Sequence, residues 1–202
     1  MTRTAKWEFF PATFYTTKFD HENFRLQKDW NRNVIIPEIE NDLKKGIQQN
    51  DNWNCIVKTN FPKDKNCLDK YKKIYAGLVE DYFRTMRIEK PHKVDISKIW
   101  YNVYYEGDYQ EIHTHWPDQF SFVHYVEYDK DVHQPTIFQN PNLYGQLFNN
   151  DQINDRMFEN NVKFETEENS VVCFPSHIPH YVPKNNSNKR RITVSFNANI
   201  IF

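Results

Sequence analysis

The stretch 101–116, YNVYYEGDYQEIHTHW, sets His113 and His115 two residues apart, directly after a run of aromatic, strand-forming residues. In a β-strand, residues i and i+2 point to the same face, so the two imidazoles would converge on one spot. Converging imidazoles suit a divalent transition metal, whereas on a wet strand edge they serve no chemistry. The rest of the chain has to decide between these readings.

Outward from this stretch, the hydrophobic period is two from about residue 94 onward. KIWYNVYY (98–105), DQFSFVHYVEY (118–128), PTIFQ (135–139), SVVCF (170–174), IPHYV (178–182) and RITVSFNANIIF (191–202) read as short strands between Gly, Pro, Asn and Asp clusters. Strands of this length and spacing predict an all-β sandwich or a small barrel of jelly-roll type. Upstream the period turns helical. In 35–47, Ile36, Ile39, Leu43 and Ile47 stand at helical spacing, with Pro37 where a first turn tolerates it. Residues 67–86 are a longer amphipathic stretch, whose stripe is Leu68, Tyr71, Tyr75, Leu78, Val79, Tyr82 and Met86. WNCIVKTNF (53–61) reads as a strand between the two helices. The expected fold class is α+β, mainly β: one domain over 1–202, with a helical N-terminal layer (1–93) packed on one sheet of a jelly-roll core (94–202). The Asn-rich excursion 139–169 is either a lid or binding loop or a surface insertion.

Composition narrows the function classes. With 26 basic and 27 acidic residues the formal charge is -1, so no global field favours nucleic acid or an anionic membrane. The chain is 16% aromatic, while its mean hydropathy of -0.86 is polar, which points to a core built from Phe, Tyr and Trp. Three widely spaced cysteines, Cys55, Cys67 and Cys173, form no paired-ligand pattern and suit a reducing compartment. The first ten residues lack the apolar core of a signal peptide, and no apolar run approaches a membrane span. A soluble protein of the cytoplasm, or of a host's cytoplasm if the chain is viral, is the expectation.

On the last strand, Ile192, Val194, Phe196, Ala198 and Ile200 share one face, and Arg191, Thr193, Ser195, Asn197 and Asn199 the other. That polar face is either an ordinary solvent face or the lining of a wet or ligand-filled barrel interior. CFPSHIPHYVP (173–183) adds His180, with Val182 on its face, and NVYYEG (102–107) puts Asn102 and Tyr104 on one face. Three strand-like segments thus offer His113 with His115, His180, and Arg191 with Thr193. Fe(II) favours a facial set of three protein ligands with open positions, and an Arg in the same barrel would pair bidentately with a carboxylate.

This ordered set resembles the Fe(II)/2-oxoglutarate-dependent oxygenases, and in detail the prolyl-hydroxylase-like branch with its bacterial and phage members. NVYYEGDYQEIHTH is similar to their approach to the first metal ligand, with Gly107 six residues before His113. FPSHIPHYVP followed by RRITVSF is similar to their distal segment, a His before a Val and Pro and then an Arg-x-Ser/Thr strand. The resemblance covers roughly residues 99–199 and implies a double-stranded β-helix with Fe(II) and 2-oxoglutarate as cofactors, ascorbate being a candidate third. Carried over, His113 and His180 become iron ligands, Arg191 the partner of the far carboxylate of 2-oxoglutarate, and Thr193, Tyr104 and Asn102 its helpers. His115 departs from the pattern, because the family usually holds an acid there. Either His115 completes a three-His site, or Asp118 substitutes as the carboxylate, or no functional metal binds. The implied reaction is hydroxylation of a C–H bond on a peptide, protein or small-molecule substrate, with peptidyl proline as the family-guided candidate. Trp100, Tyr101 and Trp116 are candidates for shaping the substrate pocket.

Two rivals share the strand pattern. One is a cupin-like three-His dioxygenase that does not use 2-oxoglutarate; the other is a non-enzymatic jelly-roll binding module. The remaining histidines read as structural: His124 as a hydrogen-bonded core residue, His177 as a surface residue, and His21, His92 and His133 as lacking convergent partners. Cys173 reads as a small buried residue.

Overall fold

The computed structural model describes residues 12–46, 53–59, 65–88, 93–141 and 160–202. In chain order it contains β1 (Tyr15–Lys18), α1 (His21–Trp30), a π-helical turn (Asn31–Ile35), α2 (Ile36–Lys44), β2 (Ile56–Thr59) and α3 (Lys65–Thr85). There follow β3 (Lys93–Tyr104), β4 (Gln110–His113), β5 (Phe120–Glu127), β6 (Ile137–Gln139) and β7 (Asn161–Val162). The last three strands are β8 (Ser170–Pro175), β9 (His180–Val182) and β10 (Arg191–Ile201).

The strands form two antiparallel sheets, one of order β1-β8-β5-β10-β3-β2 and one of order β4-β9-β6-β7. The N-terminal layer is therefore not purely helical, since β1 and β2 supply both edges of the larger sheet. Of the strands, β1, β4 and β7 carry too few residues for a period of two to register in the sequence. The helical stretch also starts earlier than expected. The Asp20 carboxylate caps α1 by accepting from the Asn23 backbone N–H at 2.9 Å, and the π-turn joins α1 to α2. The buried stripe of this region is Ile35, Ile36, Ile39 and Asp42, while Leu43 is exposed and Ile47 lies outside the described residues. Of the 139–169 excursion, residues 142–159 also lie outside them, and β7 belongs to the part that is described.

The larger sheet is covered differently on its two faces. Its outer face packs Ile99, Tyr101, Val103, Phe122, Val194 and Phe196 against Tyr75, Val79, Tyr82 and Phe83 of α3. Tyr75, Val79 and Tyr82, with Leu78 and Met86, belong to the stripe that helical spacing picks out, Phe83 joins them, and the side chains of Leu68 and Tyr71 lie outside the described residues. His124 joins this face as a core residue: it is fully buried, with Tyr75 Oη 2.9 Å from Nδ1 and Asn169 Oδ1 3.3 Å from Nε2. The inner face meets the smaller sheet through two aromatic-rich clusters. Val123, Tyr125, Val172 and Phe174 pack with Phe138 and Ile178 at one side. Cys55, Val57, Trp100 and Tyr104 pack with Val182 at the other. Cys173 is a buried free thiol, as its setting in SVVCF predicts. Among the described residues no helix is long and apolar enough to cross a membrane.

Candidate active site

Between the two inner clusters lies a narrow cavity lined by Trp100, Asn102, Tyr104, Gln110, His113, His115, Val123, Thr136, His180, Val182, Thr193 and Ser195. Strand alternation accounts for most of this wall. Trp100, Asn102 and Tyr104 are every second residue of β3, and Thr193 and Ser195 are every second residue of the polar face of β10. That face is therefore the lining of an interior, not a solvent face: Arg191, Thr193, Ser195 and Asn197 are all buried.

Strand β4 breaks the alternation. Gln110 pairs with Val182 and His113 with His180, with a register shift between the two pairs. The bulge inserts a residue, so Gln110 and His113, an odd number of positions apart, both turn inward. His115 follows in the next turn, its backbone N–H donating to Ser176 O at 2.8 Å. His180 opens β9. The structure thus brings His113, His115 and His180 together, with one ring nitrogen from each within 4.8 Å of the others. The ring centroids are 5.0 Å (113–115), 4.3 Å (113–180) and 4.9 Å (115–180) apart.

The hydrogen bonds orient two of these rings. His113 Nδ1 lies 2.7 Å from Glu111 O and His180 Nδ1 lies 3.0 Å from Ile178 O. A carbonyl can only accept, so both Nδ1 atoms carry the hydrogen and both Nε2 atoms offer lone pairs. His115 Nε2 sits 3.2 Å from His180 Nε2. Burial lowers the basicity of all three histidines, and their proximity to one another adds to it for His115 and His180. His115 falls to about 3 and His180 well below the ordinary histidine value. Neutral imidazoles with their second nitrogens fixed by carbonyls are the donor set that a borderline divalent metal such as Fe(II) takes.

At the far end, Arg191 is buried behind Tyr104 and Thr136. Nη1 donates to Gln134 O at 2.8 Å and Nη2 to Thr136 Oγ1 at 3.4 Å, while Nε is buried without a partner. The rings of Tyr104, Tyr125 and Tyr128 surround the guanidinium with centroids 5.0, 5.3 and 5.6 Å away. Among the described residues no carboxylate pairs with it. A buried guanidinium lacking its anion is costly, and a carboxylate ligand is the group that would offset that cost. Burial raises the Tyr104 phenol well above its ordinary value, so it remains a donor, to Gln110 Oε1 at 2.9 Å. Asn102 Nδ2 donates to Thr193 Oγ1 and Ser195 Oγ at 3.2 and 3.1 Å.

Other expected site residues fall differently. Trp100 lines the cavity, with its ring 5.1 Å from that of His115. Tyr101 does not: its neighbours on β3 face the cavity, so alternation sends Tyr101 into the helix-covered core, where its hydroxyl accepts from Gln27 at 3.1 Å. Trp116 is 75% exposed and stands outside the lining. The Asp118 carboxylate accepts three side-chain hydrogen bonds and is not part of the histidine group. His177 is exposed. Both ring nitrogens of His133 are engaged by the backbone, with Asp129 N–H donating to Nδ1 at 3.0 Å and Nε2 lying 3.0 Å from Lys189 O. Gln110, Thr136 and Val123 are wall residues that the sequence reading does not single out. The bulge hides Gln110, and Thr136 precedes a strand of only three residues.

Residues 98–197 match the sequence profile of a family described as "Putative 2OG-Fe(II) oxygenase". No curated protein matches the sequence. A prolyl-4-hydroxylase from Pseudomonas putida superposes with a TM-score of 0.58 at 12% identity, over 93% of this chain and 92% of that one. The viral collagen prolyl hydroxylase of Paramecium Bursaria Chlorella virus-1 gives 0.54 at 11% identity, over 94% and 96%. A Trichoplax adhaerens prolyl hydroxylase, in complex with a hypoxia inducible factor peptide fragment, gives 0.56 at 12% identity, over 92% and 82%. At these identities the likeness is one of fold. The profile match agrees with the superfamily that the histidine and arginine motifs resemble, and the fold is shared with these prolyl hydroxylases.

Proposed function

We propose that this chain, whose residues 98–197 match the 2OG-Fe(II) oxygenase profile, is a dioxygenase that hydroxylates a C–H bond. In this reading the two sheets are the walls of a double-stranded β-helix. His113, His115 and His180 would hold Fe(II). Arg191 would take the far carboxylate of 2-oxoglutarate, with Thr193, Tyr104 and Asn102 as neighbouring polar contacts. With dioxygen as the oxidant, the bound metal and co-substrate would supply the chemistry of C–H hydroxylation, one oxygen atom going to the substrate and the other to succinate as carbon dioxide leaves. The chain's own part is orientation and exclusion of water. Carbonyls fix two imidazoles, Trp100 and Val182 wall the cavity, and the three tyrosines around Arg191 keep its charge away from solvent.

The observation that carries this reading is the combination of three neutral imidazoles lining one cavity with a buried guanidinium that touches its wall residues Tyr104 and Thr136 and has no carboxylate partner among the described residues. A cupin-like three-His enzyme explains the imidazoles but leaves Arg191 unexplained. For the substrate we favour a peptide side chain, proline first, in line with the prolyl hydroxylases that share the fold. The test is an anaerobic titration of metal-free protein with Fe(II) and then 2-oxoglutarate, followed by visible absorption. A weak charge-transfer band that needs both additions and is lost in Arg191→Ala is expected. Iron binding without the band would favour the cupin-like reading, and absence of iron binding would leave a binding module. Succinate release stimulated by proline-containing peptides would then identify the substrate class.

A further inference from the structure

The turn after His115 is tied down by a closed circuit of hydrogen bonds. His115 N–H donates to Ser176 O at 2.8 Å, and Asp118 N–H donates to His115 O at 3.1 Å. Asp118 Oδ2 accepts from Asn197 Nδ2 at 2.7 Å, and Asn197 Oδ1 accepts from Ser121 Oγ at 2.9 Å. Ser121 Oγ meets Ser176 Oγ at 2.7 Å, which closes the ring at the residue whose carbonyl holds His115. Outside the ring, Asp118 Oδ1 accepts from Ser97 Oγ at 2.7 Å and Asn199 Nδ2 at 2.9 Å.

The circuit joins β10, β5 and the segment leading to His180 through one carboxylate. Its members Ser121, Ser176 and Asn197 are buried, so each bond is sheltered from competing water. All three side-chain donors to Asp118 are neutral, and the Lys98 ammonium is the cation that acts on its carboxylate. Asp118 favours positive charge on His115 electrostatically while Lys98 opposes it, and Glu111 favours positive charge on His113. A facial-triad iron site carries a carboxylate within its ligand set; here the set is three imidazoles, and the acid stands just behind it.

We propose that Asp118 is a positioning residue of the metal site: it anchors the His115 turn through the ring and supplies the anionic charge that the three-imidazole set lacks. The proposal rests on reading the three histidines as the iron ligands. Second-sphere partners of metal ligands are commonly worth ten- to a hundredfold in affinity, which sets the scale of the effect.

Cobalt(II), an air-stable probe with visible ligand-field bands, tests it by titration of metal-free protein. Wild type, Asp118→Asn, His115→Asp and the double variant are compared. Asp118→Asn should weaken cobalt binding about tenfold or more in the wild-type background. In the His115→Asp background the same change should cost about threefold or less, because a carboxylate then sits among the ligands. Equal losses in both backgrounds would overturn the charge role and leave only the anchoring of the turn, and no loss in either would overturn the proposal. Failure of wild type to bind cobalt would instead remove the metal reading itself. Should Asp118→Asn not fold, Ser121→Ala breaks the ring with the charge intact. About threefold weaker binding then supports the ring, and unchanged binding overturns it.

Discussion

His124 and the three clustered histidines are withdrawn from water on opposite sides of the larger sheet, and the difference lies in what each ring nitrogen is left to do. Both nitrogens of His124 have protein partners, Tyr75 and Asn169, and its ring packs edge-on against Phe19 at 4.8 Å. Nothing remains for a ligand. His113 and His180 also satisfy one nitrogen each, but the second points at another imidazole. Burial lowers basicity in both places, so neither burial nor lowered basicity marks a site. An unspent lone pair does.

The largest expected effect separates the two environments by metal. His180→Ala should weaken Fe(II) or Co(II) binding by more than about a hundredfold, beyond the range for second-sphere changes, whereas His124→Phe should leave it unchanged. Calorimetric titration of metal-free protein reads both, and equal losses would erase the distinction.

A pH series sharpens the same comparison. The unfolded chain protonates a histidine near its ordinary value of 6.5, but burial holds His124 neutral in the fold down to about 3. Its contribution to stability is therefore fully present above pH 6.5 and is lost as pH falls from there toward 3. The slope approaches about 1.4 kcal/mol per pH unit for each such group. In metal-free protein His115 follows the same course over the same window. Urea unfolding of metal-free protein between pH 7 and 4 should show this loss, and His124→Phe should shed one histidine's share of the slope. An unchanged slope would show that His124 does not titrate in this way.

The smallest effect concerns a single hydroxyl. Tyr75→Phe removes the partner of His124 Nδ1 and should cost about 1 kcal/mol of stability, with no change in cobalt affinity. Thermal unfolding and the same titration measure it. A loss of metal binding would mean that the helix-covered face is coupled to the site.

Much of the site could be read along the chain because strand alternation is local. The spacing of Arg191, Thr193 and Ser195 puts them on one face before any partner strand is known, as does the spacing of Asn102 and Tyr104. His113 and His180 followed from ordered motifs. The reading failed where a neighbour intervened. Tyr101 looks like its aromatic neighbours, but its parity sends it to the helix side. Gln110 would lie opposite His113 in a regular strand, and a bulge forced by pairing with β9 turns both inward. Strands β1 and β2 close the edges of a sheet whose other members begin near residue 93, a pairing between distant segments that no local pattern announces.

By itself, then, the sequence determined which residues share a face, the period of each segment and the spacing of the histidines, all set by backbone geometry within a few residues. Only the tertiary structure decided which face would be closed over by a second sheet. It also brought His180 to the His113–His115 pair, buried Arg191 among three tyrosines with no carboxylate partner among the described residues, and drew Asp118 into the ring behind His115. Those outcomes depend on contacts between residues far apart in the chain, whose cost in loop closure is offset only when the whole sheet forms.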